Sequence, residues 1–270
     1  MNVSTRIERI INKIIKNNNI KKHIHQLLSQ PSNHSYIKQI IYLSKLIHRN
    51  KEICHPPKTR TYISNKLSNY LLENHYSKDM TIVDIGGGNG QILKEIGENM
   101  KLPKEQLYCV EPNIPWTEPY SYLHNDFIQY VFWDNLWIPI QDHSIDVVFM
   151  MVSLHHMTDE TIKKTMENIV RISKPNSVLI VKEHDCVSNE DRYVIEWEHH
   201  LYHLVETCQQ NEEKCKDYMN NFIQNYKSKM WINDLMMSYG FHSVMELNRL
   251  FERNVDTKNP TNLYWKIFTK

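Results

Sequence analysis

Four glycines crowd the stretch TIVDIGGGNG, at Gly86, Gly87, Gly88 and Gly90, in a chain of 270 residues that holds six glycines in all. The apolar run before them reads as a buried strand and the segment after them as a helix. At such a junction backbone N–H groups approach a ligand closely, and each missing Cβ removes an obstacle to that approach. The dinucleotide fingerprint G-x-G-x-x-G is not met, because Gln91 and Leu93 stand where its third glycine would fall in either register. NAD is disfavoured on that ground. A tight turn with no ligand is the plainer alternative.

Carboxylates and imidazoles recur at the ends of the strand-like runs that follow. Asp84 closes TIVDI, Glu111 and Pro112 close LYCVEP, and Asp134 stands in WDNLWIPI ahead of Pro139. Ser153, His155 and His156 follow SIDVVFMMV, while Glu183 and His184 stand between Lys182 and Asp185 at the end of SVLIVKEH. Histidine titrates nearest neutrality and so suits a general base. The run of ionisable side chains at 182–185 is expensive to bury unpaired, which makes them either solvated loop residues or pocket residues. In EWEHHLYHLVE, His199 and His203 share one helical face, a spacing at which imidazoles can share a metal ion. Neither an H-E-x-x-H pattern nor a thiolate accompanies them, and no metal is predicted. A histidine-rich face over a substrate mouth and an ordinary core helix carrying Trp197, Leu201, Leu204 and Val205 fit this stretch equally. Trp116, Tyr120, Tyr122, Trp133 and Trp137 suit either a pocket for a planar ligand or the core.

Placing these groups together requires an alternation of strands and helices. TIVDIG, LYCVEP, a run between Leu123 and Phe132, SIDVVFMMV and SVLIVKEH read as strands; TRTYISNKLSNYLLENH and DETIKKTMENIVRIS read as helices. Such alternation predicts a parallel sheet covered on both faces, with ligands collecting at the strand ends. A helix from about Glu190 to Cys208, a helix around MWINDLMMSYG, and the strands FHSVMEL and NLYWKIFTK finish the chain. Short spacing makes the last two pair antiparallel. Residues 1–57 read as a helical cap: Thr5 and Glu8 have the form of a capping box ahead of Ile7, Ile10, Ile11, Ile14 and Ile15. Asn17, Asn18 and Asn19 interrupt the pattern, which resumes through Ile20, Ile24, Leu27 and Leu28. A further helix carries Ile37, Ile40, Ile41 and Ile47 until HPP at 55–57 breaks it. The predicted division is 1–57 and 58–270.

Asp84-Ile85-Gly86-Gly87-Gly88-Asn89-Gly90 resembles the first motif of class I S-adenosylmethionine-dependent methyltransferases, and QDHSIDVVFMMVSLHHM resembles the fourth-strand segment of the ubiquinone and menaquinone biosynthesis group within them. The resemblance implies a Rossmann-like α/β fold with a seven-stranded sheet ordered 3-2-1-4-5-7-6 and an antiparallel last strand. It implies S-adenosylmethionine held by Asp84, Gly86, Gly87, Gly88, Gly90, Glu111, Pro112, Asp134 and Ser153, with Glu111 on the ribose hydroxyls and Asp134 receiving the adenine amino group. His155, His156, Glu183, His184 and His199 are the candidate catalytic residues. The acceptor is then an oxygen or nitrogen of a small molecule or an RNA end. An mRNA cap or other RNA methyltransferase is the alternative, and a methyltransferase-like subunit without turnover is the rival from another class. An N/D-P-P-Y motif is absent, since SLHH takes its place, and Ser153 and His155 stand where a Lys-Asp-Lys-Glu tetrad would put its Asp.

Composition bounds the partners. Lys+Arg 32 against Asp+Glu 31 leaves a formal charge of +1, which gives no chain-wide attraction to nucleic acid or membrane. Local basic residues at Lys21, Lys22, Lys38, Lys45, Arg49, Lys51, Lys58 and Arg60 suit a solvated face or an RNA contact. The five cysteines, Cys54, Cys109, Cys186, Cys208 and Cys215, show no C-x-x-C spacing and predict reduced thiols in a cytoplasmic setting. No apolar run reaches membrane-spanning length, and the N-terminus lacks a secretory core. Oligomeric state is not legible.

Overall fold

The computed structural model describes residues 2–15, 17–29, 42, 45, 59–75, 77–112, 126–206, 223–246 and 259–270. In chain order the elements are α1 (Val3–Ile14), α2 (Asn18–Ser29), α3 (Thr59–Asn74), β1 (Ile82–Ile85), α4 (Gln91–Met100), β2 (Leu107–Pro112), β3 (Gln129–Trp133), β4 (Ile145–Met151), α5 (Asp159–Ile172), β5 (Ser173–His184), α6 (Asn189–Glu206), α7 (Lys229–Ser238), β6 (His242–Glu246) and β7 (Leu263–Thr269). Two compact units emerge: Met1–Pro57 with Cys186–Phe222 and Asp256–Asn262, and Lys58–Asp185 with Ile223–Val255 and Leu263–Lys270. Residues 186–206 and 259–262 thus group with the described N-terminal residues, a long-range association that no local pattern in the sequence announces.

The larger unit is a seven-stranded sheet in the order β3-β2-β1-β4-β5-β7-β6. β1 pairs parallel with β2 and β4, β2 with β3, and β4 with β5, whereas β7 runs antiparallel to both β5 and β6. The predicted fold and strand order are therefore the observed ones. Both faces are dry because the strands are apolar at odd and even positions alike. Val83, Ile85, Val148, Met150, Leu179 and Val181 pack on one side with Ile162, Met166 and Ile169 of α5 and Ile232 and Met236 of α7. Ile82, Leu107, Val147, Phe149, Val178 and Ile180 pack on the other with Leu67 and Leu71 of α3 and Leu93 and Ile96 of α4. Each parallel strand accordingly delivers its C-terminal residues to the same edge.

In the smaller unit α1 packs against α6 and α2. Ile7, Ile10, Ile11, Ile15 and Ile20 are buried, as the periodicity predicts. The Thr5–Glu8 capping box does not form. Helix α1 has already begun at Val3, and Asn2 caps it, its Oδ1 accepting the Thr5 N–H at 2.9 Å. Asn17 caps α2 in the same way, accepting from the amides of Asn19 and Ile20 at 2.9 and 3.3 Å. The helix expected around Ile37–Ile47, residues Trp116, Tyr120 and Tyr122, and Cys54, Cys208 and Cys215 lie outside the described residues, as do Lys38, Arg49, Lys51, Lys58 and the side chain of Arg60. Cys109 is a buried free thiol. Among the described residues no helix is long and apolar enough to cross a membrane.

Candidate functional site

The glycine turn closes through Gly86 N–H on Val110 O at 2.8 Å and Gly90 N–H on Gly87 O at 3.0 Å, and α4 starts directly after it. Protein neighbours account for three of its glycines. A Cβ on Gly86 would stand 2.5 Å from Ser153 Cβ, one on Gly87 2.8 Å from both Asp84 Oδ2 and Cys109 Sγ, and one on Gly90 2.0 Å from Ile128 Cδ1. Gly88 differs: its φ is +61°, and no heavy atom lies within 4 Å of the place a Cβ would take. Of the four, it is the one whose bareness no neighbour explains.

Two acids converge on this turn. Glu111, at the end of β2, accepts the Gly88 N–H through Oε1. Asp84, at 1 % exposure, leaves its Oδ1 without a hydrogen-bond partner, and the buried Ser153 hydroxyl is likewise unsatisfied. Burial pushes the Glu111 carboxyl up to about 7, against the pull of the Gly88 amide. Burial and then the neighbouring Glu111 charge push Asp84 up to about 8. The Cys109 thiol is driven well up by burial and by the same two carboxylates. Such a pair calls for a cationic or donor-rich ligand. The residues fit S-adenosylmethionine on that count: adjacent ribose hydroxyls match the two oxygens of Glu111, a cationic amino-acid end matches Asp84, and Gly88 leaves room for both.

Asp134 is placed differently from its neighbours in the prediction. It is exposed, and its Oδ1 accepts the amides of Leu136 and Trp137 at 2.9 and 3.1 Å, which with Trp137 foremost holds the carboxyl below its usual range. One of its oxygens therefore builds a local turn. Pro112 stands opposite Trp133 in the β2–β3 register, and its side chain lies outside the described residues. Trp133 is buried, whereas Trp137 is exposed with the Arg171 guanidinium 3.5 Å above its ring centre.

At the ends of β4 and β5 the second cluster forms. Val152 takes a φ of +58°, strained for a β-branched residue, and its N–H bonds Lys182 O at 2.7 Å. The bend sets Ser153 against Gly86 and turns His155 back toward β5. His155 Nδ1 lies 2.8 Å from both oxygens of Glu183, and its backbone N–H lies 3.3 Å from Oε2. Both side chains are buried, as is His184, whose ring centre is 5.6 Å from that of His155. The half-buried His156 ring sits 4.1 Å from His155 on one side and Tyr226 stacks at 5.1 Å on another. The ionisable run at 182–185 is thus largely withdrawn from water: Lys182 lies over Trp265, and Asp185 accepts the Lys229 amide at 2.8 Å.

His199 belongs to the smaller unit, on α6, with Nδ1 2.9 Å from Ile195 O. The side chain of His203 lies outside the described residues. Trp197 and Leu201 are buried, as a core helix requires.

Three residues absent from the expectation support these sites, Asn225 and Tyr226 the histidine cluster and Tyr130 the glycine turn. Asn225 donates its N–H to His155 O at 2.8 Å and its Nδ2 to Met157 O at 2.9 Å, Tyr226 stacks on His155, and Tyr130 donates its hydroxyl to Asn89 O at 2.6 Å. Tyr130 sat in the predicted third strand. Nothing local to Asn225 or Tyr226 in the sequence signals their role.

Residues 83–181 match the family profile described as a methyltransferase domain. No match was found among curated protein sequences. Among solved structures, the chain is similar to one in the Haloferax volcanii complex between the Trm112 methyltransferase activator and a methyltransferase, at 14% identity and TM-score 0.52, covering 88% of this chain and 99% of that one. It is also similar to an S-adenosylmethionine-dependent methyltransferase from Aquifex aeolicus, at 14% identity and TM-score 0.50, covering 84% and 97%. At these identities the likeness is one of fold.

Proposed function

We propose that this chain is a class I S-adenosylmethionine-dependent methyltransferase, a reading supported by its sheet order and its match to a methyltransferase domain, and that it transfers a methyl group to a protonated oxygen or nitrogen of its acceptor. The observation that carries the reading is the turn at 86–90: an open Gly88 with Glu111 on its amide and an unsatisfied Asp84 oxygen beside it. Bound there, S-adenosylmethionine supplies an electrophilic methyl group on a sulfonium.

The chain's own task is to align an acceptor and to manage its proton. A proton-taking group is useful only where the acceptor begins protonated, as a hydroxyl or N–H does. His155 supports that class. A bond to the carboxylate requires Nδ1 to carry the ring's hydrogen, which leaves Nε2 as the basic nitrogen of the neutral ring. Glu183 fixes that tautomer and stabilises the imidazolium once a proton arrives. His156, half-buried beside it, and His184 orient the acceptor. Burial of the His155–Glu183 pair keeps water from competing.

The test is transfer of radiolabel from methyl-labelled S-adenosylmethionine to small-metabolite pools, capped RNA and total RNA, run beside Asp84→Ala and His155→Ala. Label in one acceptor pool, lost in both variants, is the expected result. Calorimetry with S-adenosylmethionine and its demethylated product separates an enzyme from a silent subunit, since no heat with either ligand removes the cofactor reading altogether.

A further inference from the structure

Helix α1 carries a row of cations, Arg6, Arg9 and Lys13, along one side, and α6 carries two carboxylates two turns apart, Asp191 and Glu198. Arg6 Nη1 bonds Asp191 Oδ1 at 2.7 Å and Lys13 Nζ bonds Glu198 Oε1 at 3.2 Å. Between those rungs α6 offers Val194 and Ile195, both fully buried and apolar. Arg9 has no counterpart there. It makes no hydrogen bond or ion pair with any described residue, yet its Nη1 is buried. Arg6 Nη2 is also buried without a partner, although Nε and Nη1 of the same side chain are used, Nε on Pro260 O at 2.6 Å. The remaining acids of these helices whose side chains are described are exposed or engaged elsewhere: Glu8 is exposed with His25 at 4.0 Å, Glu190 is exposed, and Glu196 pairs with Arg192 at 2.8 Å.

Arg9 as a whole is half-buried, but a guanidinium does not shed its proton, so the buried Nη1 keeps its hydrogens and needs an acceptor. A buried N–H donor left without an acceptor costs free energy. Among the described residues, Arg9 Nη1 and Arg6 Nη2 are therefore two buried guanidinium donors on this side of α1 with no acceptor. A planar or tetrahedral oxyanion matches guanidinium N–H groups in geometry as well as charge. We propose that Arg9, with the unused Nη2 of Arg6, binds the carboxylate or phosphate group of an anionic ligand. The site lies wholly within the smaller unit and does not rest on the methyl-transfer reading.

The test is thermal unfolding of the full chain in inorganic phosphate, in acetate and in chloride at matched ionic strength, with no methyl donor present. The parent protein, Arg9→Lys and Arg9→Met are compared. The midpoint of the parent is expected to rise with the logarithm of phosphate or acetate concentration beyond any rise in chloride. Arg9→Met, which breaks no existing bond, is expected to fold and to lose that rise, and Arg9→Lys to keep part of it. Phosphate acting alone points to a phosphorylated ligand and acetate acting alone to a carboxylate. The proposal is overturned if neither oxyanion exceeds chloride, or if Arg9→Met shows the same rise as the parent.

Discussion

His155 Nδ1 stands 2.8 Å from each carboxylate oxygen of Glu183, a residue at the end of the neighbouring strand. The relationship ties the turn after β4 to the end of β5 and sets which ring nitrogen is basic. It also gives the two side chains one shared fate, because neither is stable in its dry position without the other.

Glu183→Gln keeps the shape of the side chain and removes the charge that favours an imidazolium. In a labelled-transfer assay with the acceptor identified, the turnover number is expected to fall by about a hundredfold, with little change in KM. His155→Ala is expected to cost as much, and the double variant no more than either alone. Additive losses would instead separate the two residues' roles.

The carboxylates at the glycine turn make stability depend on pH in a definite direction. Asp84 is raised from 3.8 to about 8 and Glu111 from 4.5 to about 7, burial being the leading cause in both. A raised carboxyl means that the folded state holds protons the unfolded chain has released. The contribution is complete below pH 4 and is lost as pH rises through 7 and 8. Melting midpoints without cofactor should therefore decline across that interval, and Asp84→Asn should flatten the decline. A cationic ligand reverses the preference, so S-adenosylmethionine should bind more tightly toward pH 8 and release protons as it does. Calorimetry in buffers of different ionisation enthalpy reads that release directly.

The parallel sheet followed from apolar runs that alternate with amphipathic ones, its strand order from the resemblance to class I methyltransferases, and the positions of Asp84 and Glu111 from where those runs end. Chemistry at strand termini is local and therefore legible. What β4 and β5 do to each other is not: His155 and Glu183 look like two separate candidates until the sheet places them side by side. The glycines are instructive in the opposite sense. Their crowding suggested a ligand at every position, whereas Ser153, Cys109 and Ile128 keep three of them bare, and a single string of residues does not reveal which neighbour fills which gap. Thr5 and Glu8 satisfied a capping pattern that Asn2 had made redundant by starting the helix earlier.

Gly88 and Gly90 should respond to alanine in contrasting ways. Gly90→Ala drives a methyl into Ile128 Cδ1, 2.0 Å away, and is expected to destabilise the fold by about 1–3 kcal/mol from overpacking, with further strain from its positive φ. Gly88→Ala meets no neighbour and should cost about 1–2 kcal/mol from its left-handed backbone alone. Its methyl nevertheless enters the space beside Glu111. Urea unfolding should therefore rank Gly90→Ala as the less stable variant, while calorimetry finds S-adenosylmethionine binding lost in Gly88→Ala although the protein is folded.

Asp191 supplies the last test, in the smaller unit. Burial alone would raise its carboxyl, but hydrogen bonds from Ser188 and Arg6 and the Arg6 charge hold it below its usual range. Arg6 Nη1 and Asn262 Nδ2 bond its Oδ1 at 2.7 and 2.9 Å, and Ser188 Oγ bonds Oδ2 at 2.8 Å. A depressed carboxyl contributes stability that is present above the unfolded value of 3.8 and lost as pH falls through the lower folded one. Asp191→Asn should therefore lower the unfolding free energy at neutral pH and make the variant less sensitive to acid below pH 4 than the parent. Arg6→Met, which leaves the carboxylate buried and short of its cation, should cost more, about 3 kcal/mol by urea unfolding, with the difference from the parent narrowing once Asp191 is protonated.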